Sequence, residues 1–195
     1  MRARIGHWLC VALLFSARAG AHAGAGASGG FLSGLAHPVS GLDHIVAMVS
    51  VGLWGAQLGR PAIWLLPVTF PLVMAVGGFL GLVGVALPGV EIGIALSAVA
   101  LGAMVMLAAR PPLPVAAMLV ACFAIFHGYA HGAELPRGGD GLLYSLGFII
   151  ATGALHICGI AIGVIHRWPW GRVALRGAGA GVAAAGVAFL CKALV

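Results

Sequence analysis

Acidic residues are almost missing from this chain, with four Asp and Glu in 195 residues, and charged residues of both signs make up only 7%. A soluble domain carries about 25%, so a water-exposed fold is excluded. Cysteine is nearly as scarce. Cys10, Cys122, Cys158 and Cys191 stand apart in apolar sequence with no Cys-x-x-Cys pair, which removes zinc-ribbon and dithiol readings. They read as small core residues, with Cys158 notable because it follows His156 by two positions. No Walker-type phosphate loop occurs, so no ATP-driven step is expected. The formal charge is +6, but the arginines are scattered at the ends of apolar runs and form no basic face with interleaved aromatics, which excludes a nucleic-acid partner.

What is present is apolar: 62% hydrophobic residues and 32 glycines. The glycines lie inside the apolar runs rather than in polar linkers, which excludes a disordered chain. Arg2 and Arg4, an apolar stretch from Trp8 to Phe15 and several Ala-x-Ala matches give the layout of a cleavable signal peptide, about residues 1–23, cut after Ala19, Ala21 or Ala23. Residues 24–195 then hold six apolar segments, about 41–58, 62–87, 90–109, 113–133, 141–165 and 173–195, each near the roughly 20 residues that cross a bilayer. Gly- and Pro-containing turns separate them. The expected fold is an all-α membrane protein, a six-helix bundle behind a signal peptide. Gly-x-x-x-Gly spacings at Gly55/Gly59, Gly77/Gly81, Gly128/Gly132, Gly159/Gly163 and Gly177/Gly181 predict close helix packing and leave association between copies open.

With the mature N-terminus outside the cytoplasmic membrane, Arg60, Arg110, Arg167, Arg172 and Arg176 fall on the cytoplasmic side, and only Arg137 and Lys192 fall outside. The positive-inside rule and the signal peptide therefore agree on a bacterial inner-membrane protein with a periplasmic N-terminus.

Two histidine boxes stand out. His37-Pro38-Val39-Ser40-Gly41-Leu42-Asp43-His44, with Met48 one turn on, begins the first segment. Pro38 disfavours a helical His37, which predicts His37 on an extended lead with Asp43 and His44 in the first helical turn. Ser40-x-x-Asp43 also reads as a capping box, the plainer account of Asp43 alone. The second box, His127, His131 and Glu134, recurs at i, i+4 and i+7 on one helical face near the outer end of the fourth segment. Ionisable groups in a membrane are costly and point into the bundle or a wet cavity. The charge-derived topology places both boxes on the same side. Imidazole and carboxylate without thiolate suit nickel, cobalt or zinc, and ligand affinity does not choose among them.

His156 lies deeper, as a pathway ligand, a proton relay or a histidine satisfied by one neighbour. His166 reads as a cytoplasmic rim residue. His22 would capture metal at the mature N-terminus after cleavage at Ala19 or Ala21, and would be lost after cleavage at Ala23. Enzyme chemistry is not expected: Gly26-Ala27-Ser28-Gly29 spells the Gly-x-Ser-Gly of rhomboid proteases, but it precedes the first spanning segment. A haem-binding electron carrier would need no carboxylates.

The boxes resemble the HupE/UreJ family of bacterial membrane proteins, whose hallmark looks like H-P-x-x-G-x-D-H-x-x-x-M, here His37 to Met48. Residues Phe126 to Pro136 resemble the second box of that family, and Ala151-Thr152-Gly153-Ala154-Leu155-His156 its third. The resemblance implies a secondary permease for nickel, or cobalt in some members, supplying hydrogenase or urease. It implies metal roles for His37, Asp43, His44, His127, His131 and Glu134, and secondary ones for Met48 and His156. A membrane metal sensor or chaperone would carry the same boxes.

Overall fold

The computed structural model describes residues 30–135 and 140–195. The signal-peptide segment, His22, Cys10 and Arg137 lie outside the described residues. All regular structure among the described residues is helical: α1 (Phe31–Ser40), α2 (Leu42–Leu58), α3 (Ala62–Leu82), α4 (Val90–Leu107), α5 (Leu113–Ala133), α6 (Gly141–Gly163) followed by a 3-10 turn (Val164–Arg167), and α7 (Pro169–Ala193). Five of these spans are long and apolar enough to cross a membrane. The sixth exists only if α1 and α2, bent by 85° at their junction, count as one broken span.

That junction corrects the extended lead expected for His37. Pro38 sits inside α1, and the chain turns extended only at Gly41, with φ −110° and ψ 125°. A proline late in a ten-residue helix removes one intrahelical donor, and its bias against a helical preceding residue is a preference that packing overrides. Here Gly34 lies against the Tyr144 backbone and Gly147 against the backbone of Phe31 and Leu35, which holds α1 across α6. Other boundaries shift for local reasons. Gly84, at φ 74°, ends the winding soon after Leu82. Pro169 starts α7 earlier than expected, because a proline at the first turn needs no N–H partner.

Glycine decides which helices meet. Gly77 and Gly81 of α3 lie on the backbone of Ile125 and Tyr129, while Gly128 and Gly132 of α5 lie reciprocally on that of Met74 and Gly78. Gly52 and Gly159 join α2 to α6, and Gly102, Gly179 and Gly186 join α4 to α7. Without side chains in the seam the two backbones approach closely, which gives association in lipid its van der Waals contact. Spacing alone overreaches at Gly59, Gly177 and Gly181, where a Cβ added to the glycine would meet nothing within 4 Å. It also misplaces the cysteines. Cys122, Cys158 and Cys191 are exposed on the outside of the bundle, whereas His156 is buried.

The alternation of helices sorts charge. Asp43, Glu91, Glu134 and Asp140 all lie at the bundle end where α2, α4 and α6 begin, and Arg60, Arg110, Arg167, Arg172 and Arg176 lie at the other. At the arginine end, side chains donate to carbonyls in the last turn of α4 and just beyond it. Gln57 donates to Val105 O at 3.2 Å, Trp54 to Ala109 O at 2.9 Å and Arg176 to Met106 O at 3.0 Å. Helix ends leave carbonyls that need such donors.

Candidate metal centre

At the carboxylate end, four elements bring histidines together. α1 delivers His37 from its last turn. The break at Gly41 then lets α2 start afresh, with Asp43 and His44 in its first turn. α5 contributes His127 and His131 one turn apart, and α6 closes the side with Tyr144 and Phe148. Ring centres lie 4.7 Å apart for His37 and His131, 4.7 Å for His44 and His131, 5.1 Å for His44 and His127, and 6.4 Å for His37 and His44. Two imidazoles bound to one ion at about 2.1 Å place their centres roughly 4.5–5.2 Å apart, a range that three of these pairs meet and His37–His44 does not. As placed, no group of three or more His, Cys, Asp or Glu side chains among the described residues could hold a metal ion. Several of the rings meet nearly edge to face, so sharing an ion would require them to turn about their terminal torsions.

Asp43 holds one of these rings in place. Its Oδ1 accepts the His44 backbone N–H at 2.9 Å and lies 2.9 Å from His44 Nδ1. A proton on Nδ1 donated to the carboxylate leaves the His44 Nε2 lone pair for metal, the arrangement in which an outer carboxylate orients a ligating histidine. The capping-box reading of Ser40 does not hold. Gly41 is the N-cap of α2, and Ser40 Oγ instead donates to His37 O at 2.7 Å, closing α1.

The ring nitrogens His44 Nε2, His127 Nδ1, His131 Nδ1 and His131 Nε2 are buried without a hydrogen-bond partner. Burying such groups unpaired costs free energy, and an ion would take up one nitrogen of each ring. His131 also borders a cavity of about 280 Å³ between α3, α5 and α6, otherwise mostly apolar.

Glu134 is the exposed C-cap of α5, within electrostatic reach of Tyr144, whose ring lies 5.9 Å from that of His37. Met48 is fully buried in the apolar core one turn below His44. His156 is buried deeper in α6, 5.5 Å from the Phe70 ring, which lies 5.5 Å from His127 on its other side.

The HupE / UreJ protein family matches residues 10–189 of the chain. The chain belongs to the HupE/UreJ family. Protein HupE of Rhizobium leguminosarum bv. viciae is 48% identical over 179 residues, which cover 92% of this chain and 93% of that relative. No solved structure matches the chain.

In this HupE/UreJ chain, sequence reasoning missed three contributors. Ser97 of α4 lies 2.8 Å from His127 Nε2, and a lone hydroxyl in an otherwise apolar helix was the available signal. Phe70 packs between His127 and His156, and nothing in its sequence context distinguishes it from core. Pro67 and Pro71 both sit inside α3. Because Pro71 has no N–H, it leaves the Pro67 carbonyl without its helical donor. His156 lies near that carbonyl, and neither of its ring nitrogens makes a hydrogen bond. The spacing of two prolines by four residues would have revealed it.

Proposed function

We propose that the protein is an inner-membrane permease for a divalent transition metal, nickel foremost, with the histidine end facing the periplasm. The observation that carries this reading is the convergence of His37, His44, His127 and His131 from three helices, where His44, His127 and His131 carry buried ring nitrogens with no hydrogen-bond partner. The concentration of arginine at the opposite end supports the orientation by the positive-inside rule. Family membership supports nickel over the other ions that imidazoles accept. Cobalt shares the donor preference and is the natural competitor. A haem reading is disfavoured by geometry, since axial ligands face each other across a macrocycle, whereas these rings crowd one another edge to face.

In this reading the hydrated ion exchanges waters for imidazoles at the outer site, then passes inward toward His156 and the freed Pro67 carbonyl. A membrane potential favours inward movement of a divalent cation by about 4.6 kcal/mol per 100 mV, twice the single-charge value. No ATP is needed. The site must bind weakly enough to release its ion, which suits rings that have to turn to meet it.

Cells expressing the protein should accumulate radioactive nickel saturably, with cobalt competing better than magnesium. Accumulation equal to that of cells without the protein contradicts the permease reading. Asp43→Asn keeps the shape but weakens the orienting acceptor. Its half-saturating nickel concentration should rise about 10- to 100-fold, the usual cost of losing such a partner, as read from initial uptake rates across a nickel series.

A further inference from the structure

We infer that Ser97 is a positioning residue that fixes the tautomer of His127, so that His127 meets the transported ion through Nδ1 while His44 meets it through Nε2. The inference rests on the metal-uptake reading for its function, but its structural content stands without metal.

One proton decides the tautomer. A serine hydroxyl has a single hydrogen to donate and two lone pairs to accept with. Ser97 Oγ lies 2.6 Å from the carbonyl of Ile94, an atom that only accepts, so the hydroxyl proton goes there. The same Oγ lies 2.8 Å from His127 Nε2. With its proton committed, Ser97 accepts, and His127 Nε2 carries the N–H. Neutral imidazole has one donor nitrogen and one acceptor nitrogen, which leaves the lone pair on Nδ1. The opposite assignment would put an N–H on Nδ1, a buried atom with no hydrogen-bond partner, and an orphaned buried donor is costly.

The geometry gives the assignment a consequence. Ser97 and His127 are both fully buried, so water does not compete for either end of the ring. The His127 ring lies 5.1 Å from that of His44, whose Nδ1 is occupied by Asp43 and whose Nε2 is the unpartnered atom. Asp43 and Ser97 thus orient two neighbouring histidines in opposite senses, one by a carboxylate and one by a hydroxyl. Each histidine is left with its lone pair on an unpartnered nitrogen. A neutral acceptor at His127 also adds no negative charge, which keeps the site from holding a dication too tightly.

The test uses the full chain in membranes. Nitrogen-15 solid-state NMR of histidine-labelled, metal-free protein, with His127 assigned by its loss in His127→Ala, should show His127 protonated at Nε2. In Ser97→Ala that signal should redistribute between the two tautomers, and in Ser97→Thr it should stay. Nickel uptake by Ser97→Ala should show a half-saturating concentration raised about 10- to 100-fold with membrane protein level unchanged, and Ser97→Thr should restore it. A wild-type signal for protonated Nδ1, or unaltered uptake affinity in Ser97→Ala, overturns the proposal. Wild-type nickel uptake by His127→Ala would instead overturn the uptake site itself, even with the tautomer as assigned.

Discussion

His131→Ala should lower nickel uptake at limiting nickel by about a hundredfold while the protein still reaches the membrane. His131 is the hub of the cluster, 4.7 Å from both His37 and His44 by ring centres, with two buried ring nitrogens that have no hydrogen-bond partner. In the proposed site, removing it would deprive the ion of a donor and leave His37 and His44 with ring centres 6.4 Å apart. A hundredfold loss corresponds to about 2.7 kcal/mol, modest for a metal–imidazole bond because water replaces the lost ligand. His131→Gln, which keeps volume and polarity, separates chemistry from packing and should be nearly as impaired. Cys158→Ala, exposed on the outside of the bundle, should transport as wild type. Initial uptake rates normalised to immunoblotted membrane protein provide the comparison.

The second large effect falls on folding. In Gly128→Leu the new Cβ would overlap the backbone carbonyl of Met74, and no rotamer change relieves a clash with backbone. Helices α3 and α5 would have to part along the seam that also seats His127 and His131. Overpacking of this kind costs about 3 kcal/mol, so the mature protein should fall several-fold in membranes and the remainder should melt at lower temperature in detergent. Gly177→Leu meets nothing within 4 Å and should accumulate normally. Equal levels for the two variants would mean that α3 and α5 do not meet backbone to backbone at Gly128.

The contrast between those glycines shows what sequence can and cannot reveal. Spacing identified Gly77/Gly81 and Gly128/Gly132 as interface glycines, but the same spacing at Gly177/Gly181 sits on an outward face, because periodicity tells which residues share a face and not what that face meets. The bundle itself was legible from segment length and charge, since a bilayer imposes both. The helical state of His37 was not, because the local preference set by Pro38 yields to the contacts of Gly34 and Gly147 with their partner helices. At the site, His127 and His131 were readable as one face and His44 as its partner, since ionisable groups in a membrane must turn inward. Glu134 was grouped with them by period and by the family resemblance, and it stands as the exposed C-cap of α5, still helical in backbone with its N–H on Ala130 O. Ser97 escaped notice because its significance lies in one contact across to another helix.

The most direct test is X-ray absorption spectroscopy at the nickel edge on the purified, nickel-loaded protein. Convergence of the imidazoles on one ion predicts scattering from at least three histidine rings, reduced by one ring in His131→Ala and again in His44→Ala. A spectrum dominated by water or carboxylate oxygen, and unchanged by either substitution, would contradict it.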